Sequence, residues 1–119
     1  SRMIEELASR VFAARDAAHR QHWKTGSYSQ HMALGAFYDD VIEDIDSVIE
    51  CYQGEFGLIG KFSVELGEID SITQFLSDEA DWIAGNREKL SNGSAAVGNL
   101  LDSLVGTYRT TVYKLRFLM

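Results

Sequence analysis

A chain of 119 residues, 45% of them hydrophobic, is sized for one domain around a modest core. Its formal charge of −7 excludes broad nucleic-acid binding, which needs clustered Lys and Arg to displace counterions, and suits attraction of small cations. The absence of proline removes the commonest helix breaker, no apolar run reaches the length of a membrane span, and the lone Cys51 excludes an internal disulfide. These features set the expectations of one domain over residues 1–119, no membrane partner, no DNA partner and a reducing cytoplasm as the compartment. The opening residues read as an amphipathic helix and not as a signal peptide.

In chain order, the first predicted helix runs from about Arg2 to Lys24. Ile4, Leu7, Ala8, Val11, Ala14, Ala18 and Gln21 or His22 fall on one side at helical spacing, and Gly26 is a good terminator. The second helix is capped by Ser27 or Ser29 and ends at Gly54. Leu34, Tyr38, Val41, Ile45, Val48 and Tyr52 make its buried stripe. A narrower seam of Gly35, Ile42 and Ile49 suggests a second packing partner such as a neighbouring subunit, with Gly35 allowing close approach. From Gly54 to about Asp70 the period breaks. Four glycines sit among Phe56, Leu58, Ile59, Phe62, Val64 and Leu66, which is too apolar for a free linker and reads as an ordered crossover, with room for a short helical turn. A third helix follows over about Ser71–Leu90, carrying Ile72, Phe75, Leu76, Glu79 or Ala80, and Ile83. Asn92-Gly93 signals a turn, and Ser94 caps a fourth helix with Val97, Leu101, Leu104, Tyr108, Val112 and Leu115 inside. The expected fold is all-α, a four-helix bundle with a crossover between its second and third helices.

The chemistry concentrates on the second helix. His31, Asp46 and Glu50 together make an iron or zinc ligand set, and Asp46 and Glu50 stand one turn apart on one face. Helix geometry separates His31 from the two acids by about 22 to 28 Å, so one chain cannot close such a site. A second copy of the helix, antiparallel and related by a two-fold axis, would bring His31 of one chain beside the acids of the other. His22, just before the turn, is placed to add a second nitrogen; His19, one turn earlier, competes for that role. Such donors suit Fe(II), Zn(II) or Mn(II) better than Ca(II). The acidic run Asp39, Asp40, Glu43 and Asp44 reads as a solvated face, and Trp23 and Tyr28 read as packing residues.

His22-Trp23, Gly26, His31, Tyr38-Asp39 and Asp46-x-x-x-Glu50 resemble the Dps (mini-ferritin) branch of the ferritin-like superfamily, and the stretch from Ser27 to Gly54 is similar to short phage-type members. The resemblance implies an intersubunit ferroxidase centre, with His22, His31, Asp46 and Glu50 as ligands and Trp23 beside the iron. Fe(II) would be oxidised by peroxide or oxygen and stored in a homo-oligomeric shell. This chain departs from the pattern in three ways. Its histidines are nine residues apart, about three fewer than usual. A glycine-rich crossover replaces the family's short extra helix. The basic DNA-binding tail is missing. The alternative is a non-enzymatic, phage-type interaction module that keeps the bundle and binds a protein through the apolar crossover.

Overall fold

The computed structural model describes residues 2–119. Among these, two long helices come first, α1 (Met3–Lys24) and α2 (Tyr28–Phe56). An irregular crossover over 57–71 leads to α3 (Ile72–Gly85), a five-residue helix α4 (Arg87–Ser91) and α5 (Ala95–Phe117). The protein is all-α, with four main helices packed side by side: α1 on α2, α2 on α5, α5 on α3 and α3 on α1.

Local chemistry explains most boundaries. The hydroxyls of Ser27, Ser71 and Ser94 accept from the backbone N–H three residues on, and so cap α2, α3 and α5. The predicted stop of α2 at Gly54 is two residues early. The helix runs on to Phe56 and ends at Gly57, whose φ of 95° is left-handed territory that a side chain rarely enters. The predicted helix over 71–90 is broken at Asn86. There the side-chain amide donates to the Trp82 carbonyl, the backbone N–H turns back into the last turn of α3, and α4 starts afresh. Such side-chain competition for backbone partners is why asparagine interrupts helices.

The core follows the helical stripes. Leu7, Val11, Leu34, Val41, Leu76, Ile83, Leu101, Leu104 and Tyr108 are fully buried. Each such aliphatic side chain is worth about 1.5–3 kcal/mol on burial. One stripe residue differs: Phe37 points into the core against Tyr108, and Tyr38 turns toward α1.

Cross-links fix the helix directions. Ser94, opening α5, donates to Glu55 near the end of α2, and Thr107 donates to Asp44. The Met119 sulfur lies 3.9 Å from the Ser29 hydroxyl, at the start of α2. Hence α5 is antiparallel to α2. The α3 start shares a groove with Arg20, Lys24 and Gln30, while Glu79 further along pairs with Arg10. Hence α3 is antiparallel to α1 and parallel to α2, and the crossover must travel the length of the bundle.

The crossover contains no helical turn among its residues 57–71. It is pinned to α1 instead. The buried Glu5 carboxylate accepts from the Gly60 N–H (2.7 Å), the Arg2 N–H (2.8 Å) and the Arg2 guanidinium (3.0 Å). Arg2 also donates to the Leu58 carbonyl, Ser9 donates to the Ser63 carbonyl, and Phe12 meets Phe62 ring to ring. Ile59, Leu66 and Ile69 pack on the core, whereas Leu58, Phe62 and Val64 stay exposed.

Candidate metal centre

The tip of the α1–α2 hairpin gathers all three histidines of the chain. The His22 and His31 rings stack at 3.7 Å between centroids, 15° from parallel. Two hydrogen bonds hold them reciprocally. His22 Nδ1 lies 2.7 Å from the His31 carbonyl oxygen, and His31 Nδ1 lies 2.8 Å from the His22 carbonyl oxygen. A carbonyl can only accept, so each Nδ1 carries the proton. In the neutral ring the remaining nitrogen, Nε2, is then a lone-pair donor. Backbone–imidazole bonds of this kind are the usual outer support of metal-bound histidine. The bonds also have a local structural cause. The last carbonyls of α1 have no partner within the helix; the Gln21 carbonyl takes the Thr25 N–H, and the His22 carbonyl takes the His31 ring.

The short link between the helices sets this register. His22 and His31 are nine residues apart, with only Thr25, Gly26 and Ser27 outside the two helices. The Gln21 and Gln30 side chains pair at 3.3 Å with the same offset. His19 does not take the place of His22. Its ring lies flat on Tyr38 at 4.0 Å and beside Trp23 at 4.7 Å. Trp23 is 73% exposed and Tyr28 is 76% exposed, so neither packs into the core of this chain. Gly35, assigned from the sequence to a contact with another subunit, meets His22 of its own chain.

Asp46 and Glu50 are exposed on the outer side of α2, about 15 and 19 residues along the helix from His31. At 1.5 Å per residue that is about 22 and 28 Å. The structure therefore unites His22 with His31 and leaves the two acids apart from them. Among the described residues no group of three or more His, Cys, Asp or Glu side chains converges as a metal site.

A second polar group, which patterning alone does not mark, sits at mid-bundle. In α1, Arg10 donates from Nη1 to both carboxylate oxygens of Glu79 in α3 and from Nε to Glu6, and its guanidinium lies over the Trp82 ring at 4.2 Å. Burial pushes the Glu79 carboxyl above the usual range, and the Arg10 charge only partly offsets it. The Tyr108 hydroxyl is buried without a hydrogen-bond partner among the described residues. Burial, helped by the nearby negative Glu79, raises its proton affinity and keeps it a neutral phenol. The only advance signal was a tyrosine in a buried stripe.

Residues 22–115 match the model of a family of unknown function, DUF5856. The chain belongs to the DUF5856 family. The matched region opens on His22 and takes in both imidazoles, the two α2 acids, the crossover and nearly all of α5. No curated protein and no solved structure matches this DUF5856 chain. Among the described residues no helix is long and apolar enough to cross a membrane.

Proposed function

We propose that the chain is a Dps-like, ferritin-like iron-binding protein whose ferroxidase site forms between two copies. One copy supplies Nε2 of His22 and His31, and α2 of a second copy, running antiparallel, supplies the carboxylates of Asp46 and Glu50. Fe(II) is the substrate, oxidised by peroxide or oxygen, and the ferric product is retained; Zn(II) or Mn(II) fit the same donors. In this reading His31, Asp46 and Glu50 hold the reacting iron, His22 completes the set and Trp23 lies beside it.

The observation that carries the reading is the reciprocal Nδ1–H···O=C pair, which leaves one lone pair on Nε2 of each neutral imidazole; because the rings are stacked at 3.7 Å, the two must turn apart to serve one ion. Two further features support it. The acids stand one turn apart and exposed on the same helix as His31. Four main helices packed side by side, with one long crossover between α2 and α3, are compatible with the ferritin-like reading. The test is native mass spectrometry with metal analysis after anaerobic Fe(II) loading. The intact chain should bind metal as a dimer or larger assembly. His31→Ala and Asp46→Ala should each abolish uptake while the helical circular dichroism stays unchanged. Undiminished uptake in both variants would overturn the proposal.

A second reading rests on the exposed crossover side chains. Leu58 is 81% exposed, with Phe62 and Val64 nearby. A protein partner docking there would make the chain an interaction module. Capture of one dominant partner by metal-free protein, lost in Leu58→Asp, would favour it.

A further inference from the structure

We infer that Gly35 is a positioning residue for His22, and that its missing side chain decides which ring nitrogen His22 presents. The step to metal affinity rests on the metal reading above; the step to ring geometry does not.

Gly35 lies one turn beyond His31 on α2, under the His22 ring. A Cβ built on it would stand 3.1 Å from His22 Cε1 and 3.3 Å from His22 Nδ1, closer than ordinary van der Waals contact. The ring has little freedom to retreat. His31 covers one face at 3.7 Å, Tyr38 packs edge-on at 5.3 Å, and Nδ1 is tethered to the His31 carbonyl at 2.7 Å. The added carbon would meet the ring at Cε1 and at the adjoining Nδ1, so the tether from Nδ1 takes up part of the displacement. A side chain at 35 therefore displaces the ring by a few tenths of an ångström and weakens the bond from His22 Nδ1–H. With that bond weakened, the neutral imidazole shifts its tautomer balance toward Nε2–H, and the lone pair leaves the nitrogen that a metal would use.

The effect is separable from helix propensity. Alanine in place of a mid-helix glycine ordinarily stabilises the helix. Gly54, also within α2, has open space where a Cβ would stand, with nothing within 4 Å, and supplies the matched control. Gly54→Ala should raise thermal stability and leave the histidines untouched.

The test uses the full chain and the variants G35A, G54A, H22A and G35A/H22A. Long-range nitrogen–proton NMR at about pH 8.5, above the usual histidine range, reads the tautomer of His22 without metal. Wild type and G54A should show protonated Nδ1 and bare Nε2; G35A should show the balance shifted toward Nε2–H. In Co(II) titrations G35A should bind about 10- to 100-fold more weakly than wild type, and G54A equally well. If G35A is too unstable for NMR, thermal unfolding decides. Removing the ring makes room for the new methyl, so G35A/H22A should unfold at a higher temperature than G35A. A wild-type His22 tautomer in G35A, or no recovery in the double variant, overturns the inference. Wild-type protein that binds no Co(II) overturns the metal reading, while the NMR result still decides the role of Gly35.

Discussion

Single side chains here show how much depends on who supplies the partner. Two stacked imidazoles are each satisfied by the other's backbone, so neither needs a side-chain acid to fix its tautomer. The Tyr108 hydroxyl is the opposite case, buried in the core with no partner among the described residues. A buried unsatisfied polar group costs about 1–3 kcal/mol, whereas the phenyl ring keeps all the packing against Phe37. Tyr108→Phe should therefore leave the urea midpoint unchanged or raise stability by about 1 kcal/mol. A clear loss in the same denaturation experiment would mean that the hydroxyl has a partner, such as a buried water.

At the scale of elements, one carboxylate pins the start of the crossover, while Ile59, Leu66 and Ile69 hold it by packing on the core. Burial alone would push the Glu5 carboxyl up. The N–H groups of Gly60 and Arg2 and the Arg2 guanidinium outweigh burial and hold it below its ordinary 4.5. A lowered folded value means that Glu5 adds stability above about pH 4.5, and that this stability is lost as pH falls through the folded value. Glu79 has the opposite sign: its raised folded value makes ionised Glu79 a cost at neutral pH that protonation relieves. Acid loosening should therefore begin at the crossover. Hydrogen exchange of the Gly60 amide should speed up on acidification below about pH 4.5, relative to amides in the α2 core, after correction for intrinsic rates. Glu5→Gln should cost about 1–3 kcal/mol at pH 7 and remove that acid dependence.

For the whole molecule, the decisive quantity is distance along α2. The bundle is 44 Å in its longest dimension, and His31 stands about 22 to 28 Å from the candidate carboxylates along α2, half of that length or more. A shared two-fold site makes a complementation experiment possible. His31→Ala chains keep the acids, and Asp46→Ala chains keep the histidines. Each mixed dimer then carries one intact site and one doubly broken site. An equal mixture refolded together should recover about one quarter of wild-type metal capacity, because half the dimers are mixed and half their sites are whole. Zero recovery, with mixed dimers visible by mass, would rule out a site shared across the axis.

Much of this is written in the one-dimensional pattern. The stripes of α1, α2 and α5, and the three serine caps, follow from periodicity and from side chains that bond their own nearby backbone. The break at Asn86 escapes that pattern because a single amide competing for the Trp82 carbonyl leaves the apolar period intact. The histidine pair is legible as residue types at a spacing, but its stacking and its tautomers are not, since both depend on two helices meeting at one register. Gly35 illustrates the same limit: its spacing marks a close approach, yet only the folded hairpin shows that the approaching group is His22. Interactions within one turn of helix are fixed by neighbours in the chain. Contacts between helices, including the seat of Tyr108 and the clasp at Glu5, are settled by packing, because side chains tens of residues apart meet only after the bundle has closed.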